Sequence, residues 1–266
     1  MNLSMPAHVG AVVALSSALM ASAATAQALP SYLGLVYGGT STLDLSVDAN
    51  VALDTMRIAV GSWGSGTVQA TKDTDGYYSQ VSMSAPAVSV DMDVNTMAIY
   101  ATHAAGGMTL TAPAIKSISS GGTLTITDLS LNFGTKVISG TVIGANGVGT
   151  LTNTALWTVD TISSSIYGCP GIGMCDAVGQ PNYEHMLSAT ATGLHLTDQG
   201  RTVFVQSLGM QSLARLTLDG MSDFGSLSTQ TYLWATDNVH PVPEPSTWVL
   251  MGLGLVGLLG AARRRA

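Results

Sequence analysis

The sequence predicts a mainly β body, a sandwich or irregular β-layer fold, preceded by an N-terminal signal peptide and followed by a C-terminal hydrophobic helix. Three observations carry this. Apolar residues alternate with Ser, Thr and Asp along several short runs, compact turn signals separate those runs, and no amphipathic helix longer than three turns lies between the terminal segments. A barrel-like sheet belongs to the same prediction, with an open prism or partial solenoid as its architectural competitor.

The first 28 residues read as a signal peptide. Val9 to Met20 is apolar apart from small residues, and Ala24-Thr25-Ala26 and Ala26-Gln27-Ala28 both offer small-x-small cleavage patterns. Cleavage after Ala28 is the favoured expectation, with a retained N-terminal anchor as its alternative. No Lys or Arg precedes Arg57, so this segment lacks the usual positive start.

Residues 29–242 form the body. It holds six basic residues (Arg57, Lys72, Lys116, Lys136, Arg201 and Arg215) against more than twice as many carboxylates, and the whole chain has a net charge of −7. Such a surface lacks the basic groove that phosphate neutralisation requires, so nucleic acid is excluded as a partner.

Strands are expected around Leu43, Leu45 and Val47, and around Val88, Val90, Met92 and Val94. Leu124 and Ile126 pass to Leu129, Leu131 and Phe133 with a one-residue phase change, which predicts a bulge or turn. Val203, Phe204, Val205 and Leu208, then Leu216 and Leu218, extend the β pattern. The alternating Ser and Thr positions describe a sheet with one wet face. Turns are expected at Asp75-Gly76, Gly121-Gly122, Asn146-Gly147 and Asp219-Gly220.

Cys169 and Cys175 are the two cysteines, separated by five residues. In an exported chain they read as a structural disulfide closing a small loop, worth roughly 2 kcal/mol. The spacing is not that of a zinc-binding Cys-x-x-Cys, and no metal site is expected. Asp91, Asp93 and Asn95 open like a calcium loop, but Thr96 and Thr102 stand where that loop needs Gly and Glu. A solvated strand face accounts for the same spacing.

His185 with Glu184 and Asp198 offers the ingredients of a base and its orienter, yet no serine lies in a Gly-x-Ser-x-Gly elbow. A polysaccharide-active hydrolase is therefore a minor alternative, and no catalytic residue or cofactor is assigned. The candidate ligand platform is aromatic: Trp63 in a Gly-rich segment, with Tyr77 and Tyr78 beyond a turn. Trp157 and Trp234 lie in apolar runs and read as core or interface residues.

The last 24 residues, 243–266, are ordered as an address. Pro243, Glu244 and Pro245 make an extended step, because each proline lacks an amide donor and disfavours helix before it. Trp248 to Ala262 is an uncharged apolar run that would rise about 22 Å as a helix. Arg263, Arg264 and Arg265 then favour the cytoplasmic side, placing the body across the membrane.

Val242-Pro243-Glu244-Pro245, the apolar helix and the arginine end together resemble the PEP-CTERM sorting signal of exported proteins. The resemblance implies an exosortase that recognises Pro243, Glu244 and Pro245 and cleaves near them, with the inner membrane holding the intermediate. The segment from Gly121 to Asp160 more loosely resembles the bodies of other proteins with such tails. The expected function is a structural or adhesive role at the cell surface, in the outer envelope or in an exopolysaccharide matrix, with exopolysaccharide or an envelope protein as partner. A carbohydrate-binding module is the alternative.

Overall fold

The computed structural model describes residues 33–93, 96, 98–168 and 185–234. In chain order these residues form β1 (Leu33–Leu45), α1 (Val47–Thr55), β2 (Ala59–Trp63), β3 (Thr67–Lys72), β4 (Tyr78–Asp93), β5 (Ala98–Ala104) and β6 (Gly107–Ile115). There follow β7 (Ser119–Asn132), β8 (Val137–Gly144), β9 (Gly149–Gly168), β10 (His185–Leu196), α2 (Asp198–Ser207), α3 (Ser212–Asp219) and β11 (Gly225–Trp234). The body is mainly β, as the alternation predicts.

All named pairings are antiparallel, and the order β7-β5-β4-β1-β11-β10-β9-β8 returns to β7 through a β7–β8 ladder. An eight-stranded barrel-like ring results. Closure pairs every strand of the ring on two sides over part of its length, which removes most of the edge that an open sheet would expose. β6 continues from β7 and carries β2, while β3 lies along the first half of β4.

The phase change after Ile126 is a bulge. Asp128 adopts φ 54° and the β7–β8 register shifts between Thr127 and Ser130. There β7 exchanges its neighbour on the other edge: Thr127 faces Gly107 of β6, whereas Ser130 faces His103 of β5. The Asp128 carboxylate accepts the Gly106 N–H at 3.1 Å and fastens the crossing. The chain passes so close that a Cβ at Gly107 would overlap the Ile126 carbonyl. Asn146-Gly147 turns β8 into β9 with positive φ at both residues, as its hairpin chemistry predicts.

Several sequence expectations are corrected. Val203 to Leu208 and Leu216 to Leu218 belong to α2, its C-cap and α3 rather than to strands. Thr197 starts α2 by accepting the Gly200 N–H at 2.9 Å, and the buried Gly200, Val203, Phe204 and Ser207 then share one helical face. Val47 opens α1 instead of extending β1. Val88 is 51% exposed because a register shift between Ala87 and Ser89 breaks the alternation there. Asp219-Gly220 ends α3 rather than turning a hairpin, and Gly121-Gly122 lies within β7.

The interior is apolar at both ends and hydroxyl-bearing between them. The larger cluster includes Leu43, Met83, Met108, Leu124, Ile126, Leu156 and Trp157, with α1, α2 and α3 contributing Leu53, Phe204 and Leu218. Trp157, Phe204 and Phe224 meet there at ring centroid separations of 6.0 to 6.4 Å. The smaller cluster is Val90, Met92, Leu187, Ala189 and Leu233. Inward-facing Ser41 and Thr229 join their hydroxyls at 2.9 Å.

The two ends of the ring carry different elements. Leu35 pairs with Trp234 and Leu33 with Asp91, so the first and last described residues lie together at one end. Leu45 pairs with Gly225 at the opposite end, where α1 follows β1 and the helices pack over the main core.

Candidate functional site

The most developed surface feature lies at the helix-capped end, where α1 meets the turn between β3 and β4. Ser46 caps α1 by accepting the Ala49 N–H at 3.0 Å and donates to the Asp223 carbonyl at 2.6 Å. The helix buries Ala49, Ala52 and Leu53, which leaves Asp54 at the margin of that packed face. Its carboxylate accepts the Tyr78 N–H at 2.7 Å and thereby ties α1 to the start of β4.

Asp73 builds the turn itself. Its carboxylate accepts the N–H groups of Asp75 and Tyr77 at 3.0 and 2.9 Å, while its own N–H donates to the Tyr77 carbonyl. Tyr77 is thus held on a braced turn with 59% of its surface exposed. The Lys72 ammonium sits 4.5 Å from the Tyr78 ring centre, a cation–π contact that occupies one face of that ring. Tyr77 is the freer platform of the two.

Two adjoining hollows flank this pair. One, of about 270 Å³, is bounded by Asp54, Arg57, Lys72 and both tyrosines. The other, of about 390 Å³, adds Val51, Thr55 and Asp73. Together they offer an aromatic face beside carboxylates and cations, a mixture suited to a polyhydroxylated ligand. Trp63 is 44% exposed but lies where β2 turns into β3, at the far end of β3 from the tyrosines and roughly 17 Å away along that strand. The structure therefore brings Tyr77 and Tyr78 together and keeps Trp63 apart from them.

A second feature spans the outer wall. Thr67, Ser84, Thr42, Ser228, Thr190 and Ser163 are registered across β3, β4, β1, β11, β10 and β9. At the usual strand spacing this row of hydroxyls is about 24 Å wide. Thr42 and Ser84 bond at 3.0 Å within it. A parallel row runs through Thr40, Gln230, Ser188 and Ser165. The alternating Ser and Thr in the sequence signalled a wet face, but the rows depend on register between distant strands. With apolar residues inside and hydroxyls outside, this barrel is arranged inversely to a membrane-spanning one.

Two His–Asp pairs also lie on the surface: His103 with Asp91 and His195 with Asp160, each at 3.0 Å. The hydrogen bond to Asp160 raises the His195 pKa above its ordinary value. Asp91 is therefore engaged by β5, while Asn95 lies outside the described residues. His185 and Asp198 sit at opposite ends of β10, so the suggested base and orienter do not converge. Among the described residues no group of three or more His, Cys, Asp or Glu side chains could hold a metal, and no helix is long and apolar enough to cross a membrane. Cys169, Cys175, Glu184, Pro243, Glu244, Pro245 and Arg263 to Arg265 all lie outside the described residues, as does the Trp234 side chain.

A family model described as the PEP-CTERM protein-sorting motif matches residues 241–265. No curated protein matches the chain significantly. Among solved structures, the chain is similar to the C-terminal domain of HtaA from Corynebacterium glutamicum, at 9% identity and a TM-score of 0.37, over 76% of this chain and 99% of that one. The chain carries a PEP-CTERM sorting motif, which implies exosortase-targeted export across the membrane to the cell surface or envelope.

Proposed function

We propose that this protein is a noncatalytic structural or adhesive component of the cell envelope or exopolysaccharide matrix, placed there by its sorting tail. The observation that carries this reading is the outer hydroxyl wall on a barrel whose interior is filled by side chains. Rows of Ser and Thr offer many weak, repeated hydrogen-bonding positions, which suits extended contact with a hydrated polymer.

In this reading the first 28 residues are removed during export, and exosortase acts at Pro243, Glu244 and Pro245 while residues 248–262 hold the inner membrane. Arg263, Arg264 and Arg265 remain on the cytoplasmic side. Eight residues, 235–242, separate Trp234 from Pro243. Even fully extended they keep the motif within about 30 Å of the barrel end where both chain ends emerge. The Tyr77 hollow lies at the opposite end of the barrel from the tail. Its aromatic and charged lining supports the second reading, a carbohydrate-binding module.

Terminal-peptide mapping of protein recovered from membrane, periplasmic and external fractions, with and without exosortase, tests the placement. Loss of the segment after Pro243 only in exosortase-bearing cells is the expected result, and an unchanged C-terminus in both strains would reject this route. Binding of the mature protein to the cells' own exopolysaccharide separates the two functional readings. Saturable binding that Tyr77→Ala or Trp63→Ala weakens would make it a carbohydrate-binding module. Retention insensitive to both variants fits the structural reading, and release of the protein from the matrix and envelope by a simple wash would overturn it.

A further inference from the structure

The barrel has one long strand edge with an unusual composition. β9 pairs with β10 through Gly168, but its pairing with β8 starts from Val137 opposite Thr158. The last bonds on that side are the Val159 N–H to the Lys136 carbonyl and the Lys136 ammonium to the Asp160 carbonyl, both 2.9 Å. From Thr161 onward no other described strand lies along this edge. The outer strands β2 and β3 are only five and six residues long, and β3 carries Lys72. Short edges and lysines are usual protections against strand addition. Residues 161–167, Thr-Ile-Ser-Ser-Ser-Ile-Tyr, have neither charge nor proline, and their ladder to β10 has no register shift.

The direction of the backbone groups follows from the last bond. The Val159 side chain is buried and its N–H points to the free edge, but the inward phase passes from Val159 to Ile162 across the irregular Asp160–Gly193 step. Beyond that step the N–H and C=O of Ile162, Ser164 and Ile166, whose side chains take Val159's inner face, point to that edge. The side chains alternate in the same way. Ile162 and Ile166 are half-buried against the interior clusters, and Tyr167 on the other face is 56% exposed.

We propose that Thr161–Tyr167 is a self-recognition edge, through which two copies of this protein pair antiparallel about a two-fold axis at Ser164. The sequence is nearly its own complement around that residue. Such pairing sets Ile162 against the second copy's Ile166, Ser163 against Ser165 and Thr161 against Tyr167. The inner faces thus meet as isoleucines and the outer faces as hydroxyls and an aromatic ring, both favourable cross-strand combinations. Charge argues for the same occupant. In a chain of net charge −7, a two-fold contact must keep carboxylates from facing each other. Asp160 falls opposite Gly168 and is already held by His195. The contact would join two barrel walls into one continuous sheet and would serve a structural component of a matrix directly. It rests on the strand edge alone and is independent of the Tyr77 hollow.

The axis makes a geometric prediction. Ser164 would face its own copy as a hydrogen-bonded pair, with Cα atoms about 5.5 Å apart. That separation suits a disulfide. Ser164→Cys in the full chain, expressed in exosortase-bearing cells, should give a mature protein of doubled mass that a thiol reductant returns to single mass. Ser165→Cys alone should crosslink no more than the wild-type protein, whereas Ser163→Cys and Ser165→Cys expressed together should crosslink to each other. By sedimentation, Ser164→Lys and Ser164→Asp should each weaken self-association on the order of ten-fold through like-charge contact, and mixing the two should restore it. That restoration excludes misfolding as the cause. A mature wild-type protein that stays single at all accessible concentrations would overturn the proposal. So would a Ser164→Cys thiol shielded from maleimide in a single-mass protein, because a segment of the same chain would then lie on the edge. A Ser164→Lys protein still retained in the matrix would leave the placement reading standing, so the two failures are distinguishable.

Discussion

Replacing Trp157 by alanine should destabilise the barrel by about 3 to 5 kcal/mol, and replacement by phenylalanine should cost no more than about 1 kcal/mol. Trp157 is 1% exposed and touches both Phe204 and Phe224, so it joins β9 to α2 and to the segment leading into β11. Removing water from an indole of roughly 200 to 250 Å² stabilises by about 5 to 6 kcal/mol as an upper bound. Against that stands its Nε1–H, which is buried with no acceptor among the described residues. Such an orphan donor costs about 1 to 3 kcal/mol, and the difference falls within the range found for large-to-small core changes. Phenylalanine loses a little area and leaves a small cavity, but it also removes the orphan donor. The assay is equilibrium denaturation of the mature protein, comparing midpoints at constant slope. If phenylalanine proves as damaging as alanine, the Nε1–H contributes to stability and the desolvation argument fails.

Three further perturbations probe the elements that shape the site. Thr197→Ala should cost about 1 to 2 kcal/mol, because the hydroxyl both caps α2 and donates to the Ala155 carbonyl at 2.7 Å; Thr197→Ser should recover most of it in the same denaturation assay. Asp160→Asn should lower the His195 titration midpoint, read by NMR, since the Asp160 hydrogen bond is the main cause of its rise from 6.5. The raised value means that the folded state favours the proton. This contribution is complete below 6.5 and is lost as pH rises through the folded value, so the pH dependence should flatten in the variant. Gly107→Ala should destabilise by about 1 to 3 kcal/mol, because its Cβ would meet the Ile126 carbonyl backbone at the β5–β6 crossing; a thermal midpoint equal to wild type would show that the crossing can widen.

Local pattern revealed β1, β4 and β7 because each needs only its own alternation. The bulge after Ile126 and the Asn146-Gly147 turn were legible for the same reason, since both are written in consecutive residues. Helices α2 and α3 were hidden. Val203-Phe204-Val205 is rich in strand-favouring types, and Leu216 and Leu218 mimic alternation, so the helical face becomes visible only when Thr197 is known to cap and Phe204 to pack on Trp157. Ring closure was beyond local reading. It depends on pairs such as Ser41 with Thr229, 188 residues apart. Tyr77 and Tyr78 stood out as an aromatic step beside a turn, but Asp54 joins them through a contact made only when α1 packs on β4.

Topology links the body to its sorting tail. β1 is the first described strand and β11 the last, and they pair side by side between β4 and β10. The ring can close only after β11 is available, which on export means after nearly the whole body has crossed the membrane. Only eight residues then separate β11 from the proline motif. The completion of the barrel and the arrival of the motif at the membrane are therefore nearly simultaneous, and a folded barrel about 30 Å or less from the bilayer is what the processing enzyme must accommodate. Lengthening the 235–242 segment with a flexible polar insertion relaxes that restriction at small entropic cost. If closure next to the membrane limits processing, the inserted protein should be cleaved faster in a pulse-chase, whereas an unchanged rate would mean that cleavage is indifferent to the body's distance.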